Sequence, residues 1–162
     1  MNEKKTLRQH RLLFICLGNI CRSPAAEGVM KTLASAAGRS ADFHIDSAGI
    51  GDWHVGQLPD IRMRKRGALR GYNFDSHARQ IRRSDFKDFD LLLVMDASNF
   101  TTVGGMATSP EEREKVVMLT DFLTCHDNVK AVPDPYYGDE TDFDYALDLI
   151  EDACSGLLDR LA

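Results

Sequence analysis

The chain contains no apolar run approaching the ~20 residues that a membrane-spanning helix needs, so it is not expected to enter a bilayer in that way. It also lacks Gly-x-x-x-x-Gly-Lys-Ser/Thr, which excludes a nucleotide loop of the Walker type. Cysteine is sparse: Cys16, Cys21, Cys125 and Cys154 are the only four, and none stands with histidine at zinc-finger spacing. No structural metal is expected. A polar opening, Met-Asn-Glu-Lys-Lys, does not read as an export signal, so reduced thiols and a cytoplasmic protein are the expectation. Repeats, low-complexity stretches and linkers are missing too. Residues 1–162 are therefore expected to form a single domain, with 1–10 as an N-terminal extension.

Charge is present in quantity but unevenly placed. The net charge is −5, yet residues 1–83 hold 15 Lys/Arg against 7 Asp/Glu (+8) and residues 84–162 hold 5 against 18 (−13). Much of the basic charge falls in 62–70 and 79–83. A solvated helix face is one reading of this, and attraction of an acidic or phosphorylated partner is the other. Nucleic acid is not expected, because the chain is acidic overall and the basic stretch has no interleaved aromatics.

Strand-like and helix-like runs alternate, which points to βαβ units and a parallel sheet. Residues 12–15 form a buried strand. A helix follows over 24–37, with Ser23 as N-cap, Pro24 at its first position, Glu27 in the first turn and Gly38 just past its end. Further strands are expected at 43–47, 91–95 and 116–119, the run at 91–95 being apolar on both faces. A basic helix is expected over 60–69 and another over 98–103. Phe143, Ala146, Leu147, Ile150, Cys154, Leu157, Leu158 and Leu161 recur at helical spacing and mark a final amphipathic helix. Ligands of open α/β sheets bind at the C-terminal strand ends, where Cys16, Ser47 and Asp96 would lie.

Between the first strand and its helix runs Cys16-Leu17-Gly18-Asn19-Ile20-Cys21-Arg22. Five residues wrapped between a thiol and a guanidinium can aim their backbone N–H groups at three phosphate oxygens, and Gly18 and Asn19 tolerate the positive φ that such a ring requires. Cys16 would lie over the helix N-terminus beside Arg22, where positive charge favours the thiolate. Arg22 offers a planar fork for two oxygens. A thiolate attacking phosphorus would form a phosphocysteine that water resolves. Asp134, held between two prolines, is either a stiffened acid or a surface turn.

The run Cys-Leu-Gly-Asn-Ile-Cys-Arg-Ser-Pro resembles the signature of the low-molecular-weight protein tyrosine phosphatases. So do Asp-Ser-Ala-Gly at 46–49, Trp-His-Val-Gly at 53–56 with Asp60 and Arg62, Met-Asp-x-Ser-Asn at 95–99 and Pro-Asp-Pro-Tyr-Tyr at 133–137. The resemblance implies a three-layer α/β fold, with a four-stranded parallel sheet, helices on both faces, a phosphate-binding loop after the first strand and no metal or cofactor. It implies phosphotyrosine or small aryl phosphate esters as substrate, inorganic phosphate as product and Asp134 as general acid, then base. Leu17, Gly18, Asn19, Ile20 and Cys21 would supply the loop, and Trp53, Tyr136 and Tyr137 the aromatic walls, although Trp53 read alone is a core residue. Asn19, Ser23, Ser47 and His77 would form a network holding the loop. Asp96 would either orient Arg22 or cap a helix. Cys21 is either filler or the partner of Cys16 in a reversible disulfide. A monomer or weak dimer is expected.

Three relatives of this chemistry compete. Arginine phosphatases of the same fold typically carry Thr where this chain has Ile20. Thioredoxin-coupled arsenate reductases need further cysteines, and Cys154 falls on the apolar stripe of the last helix. A phosphocysteine relay of the sugar-transport type would need no acid at Asp134.

Overall fold

The computed structural model describes residues 9–161. In chain order the elements are β1 (His10–Cys16), α1 (Arg22–Ala36), β2 (Phe43–Gly49), α2 (Ile61–Ala68), α3 (Asp85–Asp88), β3 (Leu91–Val94), α4 (Ala97–Met106), α5 (Pro110–Glu114), β4 (Val116–Met118) and α6 (Glu140–Arg160). The four strands form one parallel sheet in the order β2-β1-β3-β4. β1 is central, and its side chains alternate between two cores. Leu12, Phe14 and Cys16 pack with Ala26, Val29 and Met30 of α1 and with Phe143, Leu147 and Ile150 of α6. Leu13 and Ile15 pack with Phe86 of α3 and Val103 of α4. Both faces are thus covered, the three-layer arrangement expected of a parallel sheet. Strand order reverses between β1 and β3, and the C-terminal ends of those two strands bring Cys16 and Asp96 to one edge.

The strands keep to the expected places, with β2 running two residues further, to Gly49. The helix after β1 differs at its start. It begins at Arg22 with Cys21 as N-cap, and Ser23 caps nothing. The Ser23 hydroxyl faces Cys16 instead, so the loop has taken the side chain that sequence patterning assigned to the helix. The C-terminus is as expected: Gly38 has φ 71°, the Gly38 amide donates to the Ser35 carbonyl and the Arg39 amide to the Ala34 carbonyl, which is Schellman closure. The helix after β3 is longer than expected, and α5 was not anticipated, though Ser109-Pro110 with Glu112 is a clear start signal. Of the expected N-terminal extension, residues 1–8 lie outside the described residues. Gln9 donates to the Ala41 carbonyl, and His10 already pairs in β1.

The charge asymmetry resolves into intramolecular pairing. Arg66 forms a two-pronged pair with Asp144 (3.0 and 2.8 Å), and Arg70 reaches Glu151 (2.8 Å) and Asp148 (3.0 Å). Tyr72 donates to Glu151 at 2.6 Å. Basic α2 is thereby laid against acidic α6. Arg79 pairs with Asp46 and the buried Asp85, and Arg83 with Glu112. Much of the basic segment is therefore neither a plain solvated face nor free to attract a partner. Among the described residues no helix is long and apolar enough to cross a membrane.

Candidate active site

The loop after β1 is held from outside through its carbonyls. Those of Cys16, Leu17 and Ile20 accept from the amides of Ile50, Gly51 and Asp60 at 3.0, 2.9 and 2.8 Å, and that of Cys21 accepts from Ala25 within the helix. Among the described residues no amide of 17–22 donates to another protein group. A ring with its carbonyls tied outward and its N–H groups free, at a helix N-terminus, is built to receive an anion. Asn19 supplies the turn, with φ 59°. Gly18 does not adopt a positive φ; a side chain there would crowd the His54 ring at 3.2 Å, so its smallness serves clearance and not turn geometry. Gly49, at the end of β2, is needed for a related reason. A Cβ on it would stand 2.9 Å from the Gly18 carbonyl carbon and 3.0 Å from the Asn19 nitrogen.

At the start of the loop Cys16 is almost fully buried, its Sγ 3.0 Å from Ser23 Oγ and 3.4 Å from the Ser23 amide. Asn19 Nδ2 donates to Ser23 Oγ (2.7 Å) and to Ser47 Oγ (3.0 Å), while Asn19 Oδ1 accepts from the Arg79 amide (3.0 Å). Ser47 Oγ in turn donates to Glu27 Oε1 at 2.6 Å. Because Ser23 Oγ accepts from Asn19, its own hydrogen is available to the sulfur. The expected network thus holds at Asn19, Ser23 and Ser47. It does not hold at His77, which is exposed and makes no hydrogen bond among the described residues. Glu27, buried and paired to Lys31 at 2.6 Å, closes the chain in its place.

Arg22 is buried to 2% exposure at the far end of the loop. Its Nη1 donates to Asp96 Oδ2 (2.7 Å) and to the Val132 carbonyl (2.9 Å), and its Nη2 lies 3.7 Å from Asp134 Oδ2. Asp96 serves both uses weighed for it, since its Oδ1 accepts from the Asn99 amide and caps α4. Asp134 arrives on the segment between α5 and α6 and accepts from the Tyr136 amide at 3.1 Å. Cys21 is a buried free thiol, and burial pushes it well above the ordinary thiol range, with the Asp60 and Cys16 charges adding to the shift. Cys125 is exposed, and Cys154 lies buried on α6 with its thiol also raised by burial.

Over this floor opens a cleft of about 300 Å³. Its lining takes in Cys16, Gly18, Cys21 and Arg22 from the loop together with Asp134, Leu17, Ile20, Trp53, Tyr136 and Tyr137. Trp53 is 65% exposed, so it belongs to the rim and not to the core. Tyr137 stands nearly free, edge-on to Tyr136 at 4.9 Å. His54 also lines the cleft; the sequence offered no signal for this, because its place depends on the chain folding over Gly18. Glu27 was equally hidden as a site residue, since an acid in a first helical turn reads as dipole compensation. Among the described residues no cluster of His, Cys, Asp and Glu has the form of a metal site.

A thiol opening a loop of unpaired amides, a buried guanidinium closing it and a carboxylate 3.7 Å from that guanidinium, at the switch point of a parallel sheet, make up an anion site of the class that phosphate-handling enzymes use. Residues 11–162 match the family model for the low molecular weight phosphotyrosine protein phosphatases. A Synechocystis sp. protein named among the low molecular weight protein-tyrosine-phosphatases is 44% identical over 93% of this chain and 96% of its own. A protein tyrosine phosphatase of Entamoeba histolytica, solved with Hepes in the active site, superposes with a TM-score of 0.91 at 43% identity, covering 94% of this chain and 97% of that one. An arginine phosphatase of Drosophila superposes with a TM-score of 0.86 at 31% identity over 93% and 96%. The chain belongs to the low molecular weight phosphotyrosine protein phosphatase family, a family of hydrolases.

Proposed function

We propose that this protein hydrolyses phosphotyrosine monoesters through a phosphocysteine on Cys16. The observation that carries the reading is a loop whose amides at 17–22 donate to no other protein group among the described residues, with Cys16 Sγ at its start, Arg22 at its end and Asp134 lining the same cleft. A phosphate dianion seats in the ring, and Arg22 Nη2 meets its charge while Nη1 stays committed to Asp96 and Val132. The Cys16 thiolate attacks phosphorus in line with the ester oxygen. Protonated Asp134 gives its proton to the departing phenolate as the P–O bond breaks, leaving phosphocysteine and the free phenol. Asp134, now a carboxylate, takes a proton from water as the water attacks phosphorus. The P–S bond breaks, inorganic phosphate leaves and the Ser23 hydroxyl supports the returning thiolate. Loop donors aimed at the equatorial oxygens stabilise both transition states. Trp53, Ile20 and Tyr136 line a slot that suits a phenyl ring.

Phosphoarginine hydrolysis is the second reading, supported by the likeness to the Drosophila arginine phosphatase. Ile20 and the aromatic walls favour the phosphotyrosine reading over it. A panel of phosphotyrosine peptide, phosphoarginine, and arsenate with thioredoxin separates the three chemistries, and turnover confined to either of the last two overturns the proposal. Cys16→Ser should abolish turnover of an aryl phosphate. Asp134→Ala should cost about 10²- to 10⁴-fold, most for poor leaving groups. Appreciable activity in Cys16→Ser would refute the mechanism.

A further inference from the structure

The hydrolysis scheme leaves without a task one guanidinium that lies behind the cleft, against the ring of Tyr136. Arg62, at the start of α2, donates from Nε and Nη2 to Asp60 (3.0 and 2.8 Å) and from its amide to the same carboxylate (2.8 Å). Asp60 is bound to the phosphate loop, since its amide donates to the Ile20 carbonyl at 2.8 Å. The Arg62 guanidinium carbon lies 4.7 Å from the Phe143 ring centroid and 5.4 Å from that of Tyr136. Phe143 is fully buried on α6, so the guanidinium, itself 43% exposed, rests on a fixed ring. The guanidinium therefore ties three things together: the loop that holds phosphate, the core of α6 and a ring that walls the cleft. Among the described residues the other ring neighbours of Tyr136 are the exposed Tyr137 at 4.9 Å and His54 at 6.5 Å, and its ring also packs against the edge of the core that contains Phe143.

We propose that Arg62 is a positioning residue that holds Tyr136 in place as the leaving-group wall, so that recognition of the aryl group depends on the Asp60–Arg62 pair while recognition of phosphate does not. The inference rests on the phosphatase reading above. A bidentate pair and two ring contacts fix the guanidinium plane, and a fixed plane keeps the neighbouring ring from sweeping out of the slot. An aryl ligand gains from a wall already in place, whereas inorganic phosphate touches only the loop and Arg22.

The test compares Arg62→Gln and Arg62→Lys with wild type, using phenyl phosphate as substrate and phenylphosphonate and inorganic phosphate as inhibitors. Lysine keeps the charge and the stem but cannot form the fork, so it covers the case in which the glutamine variant fails to fold. In both variants KM for phenyl phosphate and KI for phenylphosphonate should rise about fivefold, in line with the worth of a ring contact. KI for inorganic phosphate should stay unchanged. In a cycle with Tyr136→Leu, adding Arg62→Gln should bring no further loss. Flat phenylphosphonate constants, a parallel rise for inorganic phosphate, or independent losses in the cycle would each overturn the assignment. Wild type that fails to turn over phenyl phosphate overturns the phosphatase reading and this inference with it. Wild-type turnover with flat variants overturns only the role of Arg62.

Discussion

Asp96 shows how much one side chain can carry. One oxygen caps α4 through the Asn99 amide, and the other holds the Arg22 guanidinium at 2.7 Å. The two tasks separate by substitution. Asp96→Asn keeps a good cap, because asparagine is as effective there as aspartate, but it withdraws the charge from Arg22. Its stability should stay within about 0.5 kcal/mol of wild type, while Asp96→Ala loses the cap as well and should cost about 1 kcal/mol more. Both should lower kcat/KM for an aryl phosphate by about tenfold, as expected for a misaimed transition-state donor. Denaturant unfolding measured beside the kinetics checks the separation, and equal destabilisation by the two substitutions would refute it. His77 carries the opposite lesson: a residue assigned to the network by resemblance need not take part in it. His77 points to solvent while Glu27, 50 positions earlier in the numbering, completes the network.

At the scale of elements, α6 organises the acid side of the cleft. Phe143 supports Arg62, Asp144 and Glu151 anchor α2, and Asp152 gathers the segment that leads toward Asp134. The Asp152 carboxylate, 6% exposed, accepts from the amides of Thr124, Cys125 and His126, from the Thr124 hydroxyl and from His126 Nδ1 at 2.9 Å. Burial works against its charge, but these donors prevail and hold the carboxyl far below its ordinary range. A depressed folded-state pKa gives stability that is present above the unfolded value of about 3.9 and is lost as pH falls below it toward the folded value. Asp152→Asn should therefore cost about 1–3 kcal/mol at pH 7, and the gap to wild type should narrow as pH drops below about 4. Urea unfolding of both proteins at pH 7 and pH 3.5 is the check. A gap that stays constant across that range would refute the assignment.

For the molecule as a whole, the +8 and −13 halves are drawn together through α2, α6 and the Arg79 and Arg83 pairs. Most of these pairs are partly exposed, and each is worth roughly 0–1 kcal/mol, so they specify which faces meet more than they stabilise the meeting. A ligand that spans the site acts at the same scale. The loop, Asp96, Val132 and Asp134 come from distant parts of the chain, and an anion in the ring binds only when all are assembled. Inorganic phosphate at about a hundred times its Kd should stabilise the protein by about 2.7 kcal/mol. That corresponds to a Tm rise of roughly 5–10 °C for a domain of this size. Arg22→Lys, which keeps the charge but loses the fork, should show a much smaller rise at the same concentration. An equal rise would mean that phosphate binds elsewhere.

What the amino-acid sequence settled by itself was local or periodic. The apolar run of β1, the i, i+3, i+4 stripe of α6, the Gly38 helix end and the thiol-to-arginine spacing of the loop each follow from neighbours a few residues apart. The parallel sheet followed from how those elements alternate, and its four strands with helices on both faces from the family resemblance. Tertiary structure alone decided which side chains would serve the loop: the capture of Ser23 by Cys16 instead of by the helix, Glu27 in place of His77, His54 folded over Gly18, and Arg62 between two rings. The physical reason is the same in each case. Hydrogen-bonding side chains have several local options of similar energy, and only the packing of distant segments removes all but one.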